Sequence, residues 1–293
     1  MLNYKKTTTM EYLNEYPEAF KWLESKTNGL RANVSRYSRY IDYVKDVSLT
    51  PKNPKKIIDP EDVFQKGNTS LIEIINLVRI YRAFKDENSN GFINRLKEMV
   101  SGADFYNNVS TDDKPRNFQY ELLVAEKMKS LGYSINFDEL TDVVATRGND
   151  TIYIECKRIK SSKGLESNYR KACKQLININ KDAYKFVFID VFNCYFNNIK
   201  TYEYANLFHL ISTANYNYQN FYRSNEKIIN SILNEYEKTI SGVALTSIGI
   251  LWLSNVEPQY YEDIKMRLPE TMSDEQEAAI NILFNCNKQK KEI

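Results

Sequence analysis

Apolar residues recur at helical spacing through the first hundred positions. Tyr12, Leu13, Tyr16, Phe20 and Leu23 predict a helix over 10–24, and similar patterns predict helices over 30–47, 69–84 and 92–100. Pro51, Pro54 and Pro60 break the pattern between the second and third of these. The reading is an all-helical N-terminal lobe over 1–106. A polar stretch at 107–116, NNVSTDDKPR, marks the boundary. Beyond it helices alternate with strands, which predicts an α/β domain over 107–293 with a mixed central sheet flanked by helices. Leu122, Val124, Ala125, Met128 and Leu131 predict a helix over 118–133 that closes at Gly132, and a short strand follows at 134–137. A helix is expected over 168–179, and the apolar run KFVFIDVF at 185–192 predicts a buried central strand. Two helical stretches, 201–213 and 225–238, form an expected insertion at about 201–240. The segment 241–254 predicts one more strand or hairpin bent at Gly249, and the tail from 274 is helical.

The stretch 142–157, DVVATRGNDTIYIECK, carries the candidate chemistry. Gly148-Asn149 between two β-rich runs is a hairpin signal, because glycine tolerates the positive φ such turns require. With those two residues as the loop, Arg147 faces Asp150 and Asp142 comes opposite Glu155. Strand alternation places Glu155 and Lys157 on one face and Ile152, Ile154 and Cys156 on the other. Opposed like charges destabilise a sheet unless something neutralises them. Two outcomes are open: a solvated patch in which Asp142, Glu155 and Lys157 pair, or a site for a divalent cation such as Mg²⁺, with Lys157 placed to orient a water or offset transition-state charge.

Composition sets outer limits. The 293 residues, 42% hydrophobic, suffice for a full core, and a net charge of +2 does not announce a polyanion partner, so local basic patches must carry that case. The N-terminal MLNYKKTTTMEYL lacks the apolar run of a signal peptide, no stretch is long enough to span a bilayer, and Cys156, Cys173, Cys194 and Cys286 form no CxxC pair. A reducing cytoplasm is the expected compartment. The single histidine, His209, lies in the apolar run YANLFHLIS and is expected to pack; alone it cannot furnish paired metal ligands, so metal chemistry must rest on carboxylates.

These motifs resemble the PD-(D/E)xK, or restriction-endonuclease-like, nuclease superfamily. YELLVAEKMKSLGY looks like the first helix of its Mrr-like branch, and IECKR like the strand bearing the signature carboxylate and lysine; the resemblance covers roughly 116–191, with Thr141 where the name-giving proline would stand. It implies a restriction-endonuclease-like core and four catalytic residues. Glu121 would support the metal through water, Asp142 and Glu155 would be ligands together with the main-chain carbonyl of Cys156, and Lys157 would be the catalytic lysine. The implied activity is Mg²⁺- or Mn²⁺-dependent phosphodiester hydrolysis, with DNA favoured over RNA as partner, in defence or repair. A homodimer, or a partner protein held by the helical lobe, is also implied. The alternatives are a non-catalytic nucleic-acid-binding or protein-interaction module that keeps the fold, and an RNA-directed nuclease.

Around this core, Arg158 and Lys160 in a basic loop, and Arg170, Lys174 and Gln175 on the next helix, are the candidates for contacting a nucleic-acid backbone. Two aromatic stretches invite the same reading. Arg31, Arg36 and Arg39 alternate with Tyr37, Tyr40 and Tyr43, as a nucleic-acid face or as an ordinary amphipathic helix with solvated arginines. Tyr216, Tyr218, Phe221, Tyr222 and Arg223 form either a stacking platform or a helix junction. Asp112 and Asp113 read as solvated loop acids.

Overall fold

Side-chain alternation along one strand, β3 (Asp150–Arg158), decides how the layers stack: Ile152, Ile154 and Cys156 enter one hydrophobic cluster and Tyr153 enters another. The computed structural model describes residues 9–29, 35–49, 60–103, 113–179, 183–195, 206–251 and 259–284. Among them the chain forms a mixed α/β fold, a six-stranded sheet with helices on both faces.

Helices α1 (Thr9–Lys26), α2 (Tyr40–Leu49), α3 (Pro60–Phe84) and α4 (Asn90–Met99) precede α5 (Lys114–Ser130). The sheet then runs through β1 (Ser134–Asn136), β2 (Val143–Arg147), β3, α6 (Leu165–Ile177), β4 (Tyr184–Asp190), the short α7 (Phe192–Tyr195), α8 (Leu207–Glu235), β5 (Gly242–Leu251), β6 (Gln259–Arg267) and α9 (Asp274–Leu283). Strand order in space is β1-β2-β3-β4-β5-β6. The β3–β4 and β4–β5 pairs are parallel and the rest antiparallel. As the apolar run predicts, β4 is central, with residues 185–190 buried.

The helix α5 is buried nearly all round, from Tyr120 through Ala125, as expected of a helix held between other helices and a sheet. One core cluster runs without a break from Leu23 of α1 and Ile74 of α3 through Leu122 of α5 to Ile154 of β3 and Phe186 of β4. On the opposite face α6 and α8 cover Val144, Tyr153, Val187 and Leu245. No helix among the described residues is long and apolar enough to cross a membrane, and Cys156, Cys173 and Cys194 are free thiols.

Several expectations are corrected. Arg36, Tyr37 and Tyr40 are fully buried, so they offer no surface to a nucleic acid, and Arg36 is not solvated: its guanidinium lies 3.4 Å from Glu73 of α3. Arg31 lies outside the described residues, and Arg39 is exposed. The expected pair of helices around the tyrosine-rich segment is one 29-residue helix, because Ala214, Tyr218, Phe221, Tyr222, Ile229 and Leu233 make a continuous buried stripe. Tyr218 and Tyr222 are therefore core, not a stacking platform, while Tyr216 stays exposed. His209 sits exposed in the first turn of that helix, its main-chain N–H donating to the capping Asn206. Gly249 marks no bend in β5; a Cβ there would meet a Phe192 ring carbon at 2.1 Å, so the glycine admits the ring of α7. Strand β6, with its run of half-buried polar residues, is absent from the sequence reading altogether.

Candidate active site

The hairpin register follows from its turn. Gly148 adopts φ 60°, Arg147 pairs with Asp150, and the ladder continues to Val143 opposite Ile154. Asp142, one residue before β2, therefore reaches the level of Glu155. Its Oδ2 accepts the main-chain N–H of Cys156 at 2.7 Å, and its carboxyl lies near enough to that of Glu155 to raise the proton affinity of the latter. Lys157 Nζ donates to Glu155 Oε2 at 3.0 Å and lies 3.8 Å from Asp142 Oδ2. From the other side of the sheet α5 contributes Glu121, whose Oε2 accepts from Arg95 Nε of α4 at 3.3 Å. Sequence reasoning thus places Asp142, Glu155 and Lys157 in one cluster, and Glu121 lies within their electrostatic reach.

Three carboxyls share this half-closed space with one ammonium, and their proton affinities register the crowding. Burial, then the charge of Asp142, pushes Glu155 up to about 7 against the pull of Lys157. Burial and Asp142 push Glu121 up to about 8 against Arg95 and Lys157. Burial lowers the Lys157 pKa, but Asp142 and Glu155 raise it more, so the ammonium stays charged. Fully ionised, the three carboxyls would outnumber the two cations beside them, Lys157 and Arg95, so near neutrality the site takes up protons in place of a further positive charge.

That imbalance, and the oxygen chemistry of the donors, fit a hard divalent cation. Among the described residues no three His, Cys, Asp or Glu side chains converge as a metal cluster. Mg²⁺, however, is ordinarily held by one or two carboxylates and keeps several waters, a demand that Asp142 and Glu155 meet. Cys156 adjoins the site through its main chain; its thiol is buried beneath α5 and held well above the ordinary 9.0.

The raised carboxyls make a pH prediction. The folded state binds their protons more tightly than the unfolded chain, so their contribution to stability is full below pH 4.5 and is lost as pH rises toward about 8. Thermal unfolding of metal-free protein should therefore show Tm falling over that window. Added Mg²⁺ should restore it at pH 8 and do little at pH 5, where protons occupy the same oxygens.

The flanking residues are placed differently from expectation. The Arg158 guanidinium lies between Asp190 of β4 at 3.1 Å and Asp113 at 3.0 Å, so two carboxylates already engage its donors. Asp113 is correspondingly no solvated loop acid, since it also holds Arg116 at 3.1 Å; Asp112 lies outside the described residues. Lys160 is half-buried in the loop after β3. Arg170 pairs with Glu166 at 3.0 Å and with Glu235 of α8, and with Lys171, Lys174 and Gln175 it lines a shallow groove along α6. At 1.5 Å per residue Lys174 and Gln175 stand about 15 Å along the axis from the start of α6, at the end remote from Lys157. Arg95 is the functional candidate that sequence reasoning misses: its partners are largely main-chain carbonyls, which leave no side-chain signature.

Compared with models of protein families, with curated proteins and with solved structures, the chain gives no significant match. The functional reading accordingly rests on the geometry of the site.

Proposed function

We propose that this protein is a divalent-metal-dependent nuclease that hydrolyses phosphodiester bonds, with DNA as the favoured substrate. The observation that carries the reading is the meeting of the Asp142 and Glu155 carboxyls with the Lys157 ammonium 3.0 Å from the second of them, in a partly buried notch at one end of the hairpin. An ordinary surface salt-bridge patch is solvated, whereas the Glu155 side chain is 2% exposed and the Lys157 side chain 14%. Burial of this kind costs stability, and carboxyls displaced toward neutral pH are a mark of functional sites. The element order α5-β1-β2-β3-α6-β4, with Glu121 on the helix and Glu155-Cys156-Lys157 on the third strand, also supports the resemblance to the PD-(D/E)xK nucleases.

In this reading Asp142, Glu155 and the Cys156 carbonyl would hold Mg²⁺ or Mn²⁺, with Glu121 acting through water. A cation bound there supplies positive charge to the scissile phosphate and acidifies water. The chain's own residues supply the rest. Lys157, charged and fixed by its bond to Glu155, orients the attacking water and offsets the negative charge that grows on the phosphate oxygens. Water oxygen bonds to phosphorus and gives up a proton to solvent, the bond from phosphorus to O3′ breaks, O3′ takes up a proton from solvent, and the products are a 5′-phosphate and a 3′-hydroxyl. The hydrogen bond from the Cys156 N–H keeps Asp142 aimed while this happens. Lys171 and Lys174 on α6 offer exposed charge to a more distant stretch of backbone.

The test is incubation with supercoiled and linear duplex DNA, single-stranded DNA and RNA, each with Mg²⁺, Mn²⁺ or EDTA. Metal-dependent cleavage of DNA with 5′-phosphate ends is expected. Cleavage confined to RNA transfers the activity to the other polymer, and binding without cleavage under every condition leaves the non-catalytic module.

A further inference from the structure

The loop that carries Asp142 belongs to no strand, yet it is tied down at every turn by one helix of the N-terminal lobe. The Arg95 guanidinium donates to the main-chain carbonyls of Phe137 at 2.7 Å, Thr141 at 3.3 Å and Asp142 at 3.2 Å. Its Nε reaches Glu121 Oε2 at 3.3 Å. One turn earlier on α4 the Gly91 N–H donates to Asp138 Oδ1 at 2.7 Å, and the Phe137 ring packs between Phe84 and Phe92 with centroids 5.2 and 5.1 Å away. The approach is so close that a Cβ on residue 91 would lie 2.0 Å from the Phe137 carbonyl oxygen. The Arg95 side chain is 13% exposed, so its bonds are shielded from competing water.

We infer that Arg95 is the positioning residue of this site: its planar fork fixes the main chain of Asp142 and, with the same side chain, holds Glu121 beside it, making α4 a part of the catalytic apparatus. The functional half of this inference rests on the metal-dependent reading above. The physical ground is the mismatch between what Asp142 must do and where it sits. A ligand has to be held to within a fraction of an ångström, and a loop residue outside the ladder has no strand partner to hold it. A guanidinium with donors in a rigid plane can grip three carbonyls and a carboxylate at once, which lysine, a point charge on a flexible stem, cannot do. Of the four residues assigned to the site, Arg95 bonds only to the Glu121 carboxylate and the Asp142 main chain, so it acts through these two.

The experiment compares Arg95→Met, Arg95→Lys and Gly91→Ala with wild type, by calorimetric titration with Mn²⁺ and by hydrogen exchange over residues 137–143. Arg95→Met is expected to weaken Mn²⁺ binding about 10–100-fold, the usual loss when an outer-shell partner is removed, and to raise exchange in the loop while α5 stays protected. Arg95→Lys, which keeps the charge but not the fork, should recover only part of the affinity. Gly91→Ala should reproduce the loss without altering any charge, by displacing the Phe137 carbonyl. Arg82→Met, which removes an arginine of α3 paired with Glu15, serves as the control and should bind Mn²⁺ as wild type does. Wild-type affinity and wild-type loop exchange in both Arg95→Met and Gly91→Ala overturn the inference. A wild-type protein that binds no Mn²⁺ refutes the nuclease reading instead, and the exchange comparison then decides the clamp: unchanged loop protection in Arg95→Met overturns it.

Discussion

Glu155→Gln and Lys157→Ala are each expected to cut DNA about a hundred- to a thousandfold more slowly than wild type with Mg²⁺ present, for different reasons that metal binding separates. Glu155→Gln removes a ligand charge from a site where two carboxyls face each other, so both Mn²⁺ affinity and cleavage should fall. Lys157→Ala removes the ammonium 3.0 Å from Glu155 and 3.8 Å from Asp142. The two carboxyls then lose their own counter-charge, so Mn²⁺ should bind at least as tightly as before, while turnover collapses for want of the group that orients water. Thermal unfolding monitors the fold in both variants. Cleavage at the wild-type rate by both variants sinks the proposed activity, and loss of Mn²⁺ binding in Lys157→Ala would show the lysine to be structural.

The largest effect on stability is expected outside the carboxylate cluster, at Glu73→Leu. Glu73 is buried in α3, 2.7 Å from Arg116 Nε, 2.6 Å from Gln119 Nε2 and 3.4 Å from Arg36. Burial pushes its pKa up, but Arg36 and Arg116 prevail and hold it below the ordinary 4.5. Arg36 is fully buried, and its Nε and Nη1 have no hydrogen-bond partner, so Glu73 is its counter-charge. Removing one member of such a group strands a charge in the interior and costs about 3–5 kcal/mol, read as a lowered urea midpoint. The double variant Arg36→Met/Glu73→Leu should recover much of that, since no isolated charge remains. The pH dependence has the sign opposite to that of the Glu121 and Glu155 carboxyls: Glu73 contributes fully above pH 4.5, and its contribution is lost as pH falls through its depressed folded value.

These two regions also mark what a sequence can and cannot disclose. The hairpin was readable because its information is local: a glycine at the turn and alternation on both sides fix which residue faces which, so Asp142 meets Glu155 by counting alone. Strand β4 was readable because a continuous apolar run has few other fates. The network around Glu73 was not, since a charge buried by a partner in another helix looks, one residue at a time, like any solvated arginine. The same holds for Arg158, whose carboxylate partners Asp113 and Asp190 come from separate elements. The long α8 was misread because asparagine and tyrosine are weak helix formers, and the stripe from Ala214 to Leu233 that overrides their preference appears only once β5 is there to cover it. Arg95 lay beyond reach for a further reason. Main-chain carbonyls are present at every residue, so nothing in the sequence says which of them a guanidinium will choose.

The arrangement of the strands bears on how the protein assembles. Each strand lies beside its immediate predecessor in the chain, so no gap has to be kept open for a later segment to slot between two earlier ones. The hairpin between β2 and β3 closes over only Gly148 and Asn149, whereas the parallel steps from β3 to β4 and from β4 to β5 run through α6 and α8 and carry a larger closure cost. The two-residue hairpin is the cheapest of these connections to close, and it is the one that brings Asp142 level with Glu155.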